Sequence, residues 1–369
     1  MFNFTINESS KGINYETDII TLVSYKIKIT VSLFGFVLNL WAFSFFHRFE
    51  KQSHFCFMLK HLSLVELIFS LSGVVFECFY FTLVVLQRPF PKVLVNFIIY
   101  FVFNFMWLMY KSSLLSRNWV IVLIAWRRYQ AIHRPLSSKQ LLSKKLIQYL
   151  IFGIYAISLF LVTPRLFEIT YSYSNETKNV IITPYLLVNS IYLSTYPILF
   201  FILISPVPVC VICFYSIFML RSLRKPECHE LETRSDHFQR QNPTISRRIA
   251  RNRSSSNKTV LVLCTVFTTC EFPMCLAGIF NQISRESTGV QFQWFLTHFA
   301  GVANILTSCD SIFNFVIYFI SFPFFKQSIL KGFSAISCYD FQNNYRLDNS
   351  NFSRQKTINQ CEETVFSND

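Results

Sequence analysis

The chain has 369 residues, of which 52% are hydrophobic, 18% aromatic and only 15% charged. A soluble domain carries about 25% charged residues, so this composition excludes a fibrous repeat and a wholly disordered chain and favours lipid as the solvent of much of the surface. The net charge is +14, and the Lys and Arg residues collect in particular loops. This distribution indicates how the chain is oriented in a membrane and argues against a nucleic-acid partner. The eleven cysteines lack the spacing of a zinc site, and we expect no metal or cofactor.

Seven apolar stretches follow one another along the chain, and each is about as long as the roughly 20 residues with which a helix crosses a bilayer. Long apolar stretches without a ten-residue alternation predict helices and not the strands of a barrel. We therefore predict an all-α membrane protein, a seven-transmembrane helix bundle with a short amphipathic eighth helix. The predicted spans are residues 25–46, 58–86, 94–126, 146–163, 193–220, 258–280 and 294–320.

The Lys and Arg residues predict on which side of the membrane each terminus lies. With the N-terminus outside, the inner segments hold 24 of the 34 basic residues and the outer segments hold eight. Basic residues accumulate in cytoplasmic loops, so we predict a plasma-membrane protein with an extracellular tail over residues 1–24 and a cytoplasmic C-terminus. Residues 25–320 form the transmembrane domain.

Polar segments on the predicted inner side complete the organisation. Residues 224–257 form a long third inner loop that ends in a basic cluster. Residues 321–333 alternate apolar and basic side chains, which is typical of an amphipathic helix lying on the membrane. Residues 334–369 are polar and unpatterned, and we expect a disordered cytoplasmic tail there.

Short motifs occur in a fixed order along the predicted spans. They are Gly35-Phe-Val-Leu-Asn39, Leu62-Ser-Leu-Val-Glu66, Arg127-Arg128-Tyr129, Tyr215, Glu271-Phe-Pro273 and Asn314-Phe-Val-Ile-Tyr318. In this order they resemble the rhodopsin-like, class A, G-protein-coupled receptors, and the resemblance covers about residues 35–331. Glu271-x-Pro273 and Asn314-Phe-x-x-Tyr318 further resemble invertebrate FMRFamide or myosuppressin-like peptide receptors and nematode serpentine receptors.

The resemblance implies a receptor that binds an extracellular ligand and activates a heterotrimeric G protein, with receptor kinases and arrestin as further partners. A neuropeptide ligand is favoured over a small chemosensory molecule. The competing class is a transporter or channel, but the chain has neither paired broken half-repeats nor a ring of charges. No nucleophile, metal set or phosphate loop points to an enzyme.

The resemblance also assigns residues to activation and G-protein coupling at the inner face. These are Arg128, Tyr129, Tyr215, Pro273, Asn314 and Tyr318. Arg127 replaces the acid that usually neighbours the arginine, so we expect a weak restraint on the inactive state and measurable ligand-free signalling. The alternative is a resting state held by apolar packing.

Ionisable side chains at membrane depth are costly unless they are paired, which makes them functional candidates. Glu66, Arg117, Glu271, Asp310 and Ser311 match positions that surround a mid-membrane, often sodium-binding, pocket in the family, and Asn39 is assigned with them to a buried polar switch. A guanidinium can bridge two carboxylates, so we hypothesise that Arg117 fills the sodium site as part of a switch. A static salt bridge is the alternative. Glu271 has a second candidate role, which is to pair with a cationic group of the ligand.

Nearer the outside, several residues are candidates to line the ligand pocket. These are Glu77, Phe103, Trp107, Tyr110, Lys111 and Trp294. Phe103 stands where the family carries a cysteine, and residues 165–192 contain no cysteine. The family's extracellular disulfide therefore cannot form here.

Two kinds of modification are predicted from local sequence. Asn3, Asn7 and Asn175 begin glycosylation triplets on the predicted outer side. Cys338 follows the predicted amphipathic helix and is a candidate for palmitoylation.

Overall fold

A computed structural model describes most of the apolar part of the chain. The residues it describes are 15–49, 53–86, 92–133, 143–167, 169–174, 179–184, 190–224, 243–283 and 290–333. The predicted glycosylation and palmitoylation residues, Asn3, Asn7, Asn175 and Cys338, lie outside these ranges and stay predictions.

Long helices make up most of the described chain. The first four are α1 (Tyr15–Phe49), α2 (His54–Leu86), α3 (Lys92–His133) and α4 (Lys144–Val162). The next four are α5 (Ser190–Ile204), α6 (Pro206–Arg224), α7 (Pro243–Ile283) and α8 (Val290–Ser321). Helix α1 packs against α2, α2 against α3, α3 against α6, α6 against α7, α7 against α8, and α8 against α1, so these helices form a closed ring.

Six described segments are long and apolar enough to cross a bilayer by length and composition. They are Val23–Phe49, His54–Cys78, Lys144–Phe167, Thr195–Arg221, Asn257–Gln282 and Phe295–Ser321. Helix α3 is not among the six, and it contains the polar residues Lys111, Arg117 and Asn118. Its packing against α2, α4, α6 and α7 nevertheless places it inside the bundle.

Two helices begin ten or more residues earlier than the hydropathy predicts. Helix α1 begins at Tyr15, inside the predicted tail of residues 1–24, and α7 begins at Pro243, inside the predicted loop of residues 224–257. Proline is favoured in the first turn of a helix, and no glycine or further proline follows Pro243 until Pro273. Apolar residues mark only the part of a helix that lies in lipid. Hydropathy therefore could not predict the polar first turns of α1 and α7.

The predicted fifth span is two helices that meet at Ser205. Ser205 lies between α5 and α6, and Pro206 and Pro208 follow it. A proline has no backbone N–H and cannot bond the carbonyl four residues before it. Pro208 is four residues after Ile204, so the carbonyl of Ile204 is left without its usual helical donor.

A short β-hairpin follows α4, although we predicted no strand. After a 3-10 turn at Thr163–Phe167, β1 (Ile169–Ser174) pairs antiparallel with β2 (Asn179–Pro184), from Ile169 opposite Pro184 to Ser174 opposite Asn179. Both strands are rich in β-branched and aromatic residues, which favour strands. Hydropathy read over stretches as long as a membrane span does not reveal strands of six residues.

A ninth helix, α9 (Pro323–Phe333), begins after Phe322 and belongs to a second compact unit. Phe325 and Ile329 are buried, whereas Lys326 is exposed. Residues four positions apart share one face of a helix, so α9 is amphipathic.

Gly278 of α7 lies against the ring of Phe201 on α5. A methyl group at Gly278 would overlap the ring of Phe201. We expect Gly278→Ala to lower the thermal stability and surface expression of the protein, because overpacking costs about 1–3 kcal/mol. Gly153 on α4 is the matched control, since a Cβ there meets no described atom within 4 Å. The prediction is wrong if Gly278→Ala and Gly153→Ala give equal melting temperatures in detergent.

Candidate functional site

The centre of the bundle holds a fully buried arginine on α3. The guanidinium of Arg117 donates to the carbonyl of Thr307 at 3.1 Å and to the carboxylate of Glu271. Glu66 and Asp310 each lie 3.9 Å from one of its nitrogens. Its Cζ is also 4.9 Å from the centroid of the Phe69 ring. One side chain thus connects α2, α3, α7 and α8.

The three carboxylates around Arg117 are held differently. Glu66 accepts hydrogen bonds from Ser311 Oγ and, at 2.9 Å, from Asn314 Nδ2. Both oxygens of Glu271 are engaged, one by Arg117 and the other by Ser205 Oγ at 3.3 Å. Neither oxygen of Asp310 accepts a hydrogen bond from the residues that the structure describes. One cation therefore faces three carboxyl groups, and Asp310 is held the least.

Asn118 connects this cluster to the break in the fifth span. Its Nδ2 donates to the carbonyl of Ile204 at 2.5 Å, which is the carbonyl that Pro208 cannot bond. Its Oδ1 accepts from Arg117 Nε at 3.1 Å. The indole of Trp119 donates to the carbonyl of Leu203 at 3.2 Å. The proline break is thus tied by hydrogen bonds to the charged cluster.

Asn39 extends the polar network to α1. Its Nδ2 donates to the carbonyls of Gly35 at 2.9 Å and of Ser311 at 3.0 Å. Several other buried polar atoms near the cluster have no hydrogen-bond partner in the described part of the chain, namely Asn39 Oδ1, Thr307 Oγ1 and Asn314 Oδ1. Buried polar atoms usually have a protein or water partner, so this region suits ordered water.

Sequence reasoning found the charged members of the cluster but missed Ser205, Asn118, Thr307 and Phe69. Asn118 had a detectable signal, because it is a polar residue beside Arg117 in an apolar span. Thr307 contributes a backbone carbonyl and Phe69 a ring face, and no sequence pattern marks either contact.

The C-terminal end of α3 carries the predicted coupling residues. The Arg128 guanidinium carbon lies 3.9 Å from the centroid of the Phe55 ring on α2. Arg128 is half-buried, and it forms no ion pair with a carboxylate among the described side chains. The described structure therefore sets the arginine against an aromatic face and not against an acid.

The predicted tyrosines lie in two places. The rings of Tyr129 and Tyr215 are 5.3 Å apart, which joins the ends of α3 and α6. Tyr318 is fully buried and meets Phe46 of α1 edge to face at 5.1 Å. Pro273 lies inside an uninterrupted α7.

Four of the predicted pocket residues lie among α1, α2 and α3. The rings of Trp107 and Tyr110 lie 6.2 Å apart, and Lys111 lies against both. Glu77 pairs with Lys28 of α1 at 3.2 Å. The side chains of Phe103 and Trp294 lie outside the described residues.

The fold and the buried cluster define a multi-pass membrane protein built as a closed helix bundle. The model of the 7 transmembrane receptor (rhodopsin family) matches residues 35–318. The chain therefore belongs to the rhodopsin family of G-protein-coupled receptors, and the predicted seven-transmembrane fold is confirmed. A search among curated proteins gave no match.

Proposed function

We propose that this receptor binds an extracellular ligand between its helices, at the end of the bundle where β1 and β2 lie, and passes the signal to a heterotrimeric G protein at the other end. Membership of the family carries the G-protein part of this proposal. The distribution of the basic residues supports an extracellular N-terminus and a cytoplasmic C-terminus. A neuropeptide is the first class of ligand to test, since two short motifs resemble peptide receptors, and a small chemosensory molecule is the second.

Arg128, Tyr129 and Tyr215 are proposed to meet the G protein. The contact between Tyr129 and Tyr215 sets the ends of α3 and α6 side by side. In the described structure no contact between Arg128 and a carboxylate has to be broken before Arg128 can move, because its neighbour there is the ring of Phe55. Pro273 is proposed as the pivot of α7 during activation. Asn314 and Tyr318 are proposed as the residues of α8 that take part in activation.

Arg117 is proposed to take the place of a bound cation at mid-membrane. Its ion pair with Glu271 and its hydrogen bond to the Thr307 carbonyl put a fixed positive charge among three carboxyl groups. That charge would repel a metal ion from the same position. Movement of α7 relative to α3 would stretch the Arg117–Glu271 contact, so the cluster can favour one arrangement of the helices over another.

A cell assay tests the proposed function. Cells that express the chain with a promiscuous G protein are screened with peptides and odorants, and we expect at least one compound to raise G-protein signalling above that of untransfected cells. Arg128→Ala, compared at equal surface expression, should abolish the response. Ligand-induced currents that persist without the G protein would contradict the proposal and favour a channel.

A further inference from the structure

Lys111 is a lysine inside the bundle whose described contacts are aromatic. Its Nζ lies 4.6 Å from the centroid of the Trp107 ring and 5.4 Å from that of Tyr110. Phe76 of α2 lies beside both rings, at 5.0 Å from Trp107 and 6.3 Å from Tyr110. These three rings form a wall between α2 and α3, which we call the aromatic wall.

Among the described side chains, no carboxylate forms an ion pair with Lys111. The carboxylates among them are those of Glu66, Glu77, Glu271 and Asp310. Three of these face Arg117, and Glu77 Oε1 is taken by Lys28 at 3.2 Å. A charged group inside a helix bundle is costly unless an opposite charge or water accompanies it. The Lys111 ammonium therefore has no ion-pair partner among the described side chains.

Two cations and two carboxylates act electrostatically on the ammonium group of Lys111. The cations, Arg165 in the turn after α4 and Lys28, act on it more strongly than Glu271 and Glu77 do. Both oxygens of Glu271, the other candidate ligand contact, are occupied by Arg117 and Ser205. A cationic ligand group would thus meet net repulsion here, and it would have to break the buried ion pair to reach Glu271. An anionic group meets attraction.

We infer that Lys111 binds a carboxylate of the ligand, with the apolar part of the ligand packed along the aromatic wall. A single ammonium has three donors and one charge, which matches one carboxylate. Flat rings beside it suit an aromatic or aliphatic group a few bonds away from that carboxylate. This inference rests on the proposed function as a receptor, and it names the chemistry of the ligand at that site.

Binding to the purified full chain tests the inference without requiring a signal. The probes are 3-phenylpropanoate and indole-3-acetate, each compared with its uncharged methyl ester, and the readout is the shift in melting temperature in detergent. We expect the acids to stabilise the wild type. The esters should need a concentration about tenfold higher or more for the same shift in melting temperature, because they cannot form the charge-assisted hydrogen bond. Lys111→Gln should weaken the acids to the level of their esters, and Lys111→Arg should keep the preference for acids.

The controls separate this inference from the proposed function. Lys145→Gln removes an exposed lysine of α4 and should leave acid binding unchanged. Acids that stabilise Lys111→Gln as well as the wild type, or that never exceed their esters, would overturn the inference. Acid binding that depends on Lys111, together with an absence of G-protein activation by any compound, would instead overturn the proposed function and leave the inference intact.

Discussion

Arg117→Leu is expected to lower the free energy of unfolding by about 3–5 kcal/mol, the usual cost of removing one partner of a buried ion pair. The change leaves Glu271 without the guanidinium that pairs with it and leaves the carbonyl of Thr307 without its side-chain donor. It also removes the only cation that the described structure sets against Glu66 and Asp310. Thermal unfolding in detergent and surface expression in cells measure the loss.

A double variant and a matched control sharpen this test. Arg117→Leu combined with Glu271→Gln removes both partners of the pair and should recover part of the lost stability. Arg221→Leu also deletes one guanidinium, but an exposed one at the end of α6, and should leave the melting temperature nearly unchanged. If Arg117→Leu is as stable as Arg221→Leu, the cluster does not hold the helices together. Unchanged signalling of the double variant would favour a static salt bridge over a switch.

Phe55→Leu is expected to raise ligand-free G-protein signalling. In the described structure the ring of Phe55 faces the Arg128 guanidinium at 3.9 Å, in the place of a carboxylate restraint. A cation–π contact contributes about 0.5–2 kcal/mol, which corresponds to a shift of about two- to thirtyfold between two conformations. The measurement is basal G-protein activation, normalised to surface expression.

Phe57→Leu is the control for this second prediction. Phe57 is also a buried ring near the start of α2, but the cations near it are Lys60 and Lys144. Its replacement should leave basal signalling unchanged. Arg127→Glu supplies the missing acid beside Arg128 and should lower the signalling of Phe55→Leu. Equal basal activity in Phe55→Leu and Phe57→Leu would contradict the proposed role of the ring.

The sequence predicted the helical spans and the charged cluster because both depend on rules that act over long segments. Apolar length marks a span, and a charge inside such a span is costly without a partner, so the sequence alone allowed Arg117 to be matched with Glu66, Glu271 and Asp310. Helix ends were predicted less well. Arg247, Arg248 and Arg251 are as compatible with a helix as with a loop, and hydropathy cannot distinguish the two outside lipid.

Contacts made by rings and backbone carbonyls were beyond prediction from sequence. With 43 phenylalanines in the chain, no pattern selects Phe55 as the neighbour of Arg128 or Phe69 as that of Arg117. The occupation of both Glu271 oxygens also depends on where the break between α5 and α6 places Ser205. The candidate role of Glu271 as the partner of a ligand cation therefore could not be weighed against these contacts from sequence alone.

The polarity of α3 has a consequence for biosynthesis. A central lysine or arginine costs about 2.5–3.5 kcal/mol when a helix enters the bilayer from the translocon, and this helix carries both Lys111 and Arg117. We therefore expect α3 to gain little by partitioning alone and to need Glu66 of α2, which lies 3.9 Å from Arg117 Nε, as its counter-charge in the bilayer. Insertion of the third segment and its packing against the second are then expected to be coupled during biosynthesis.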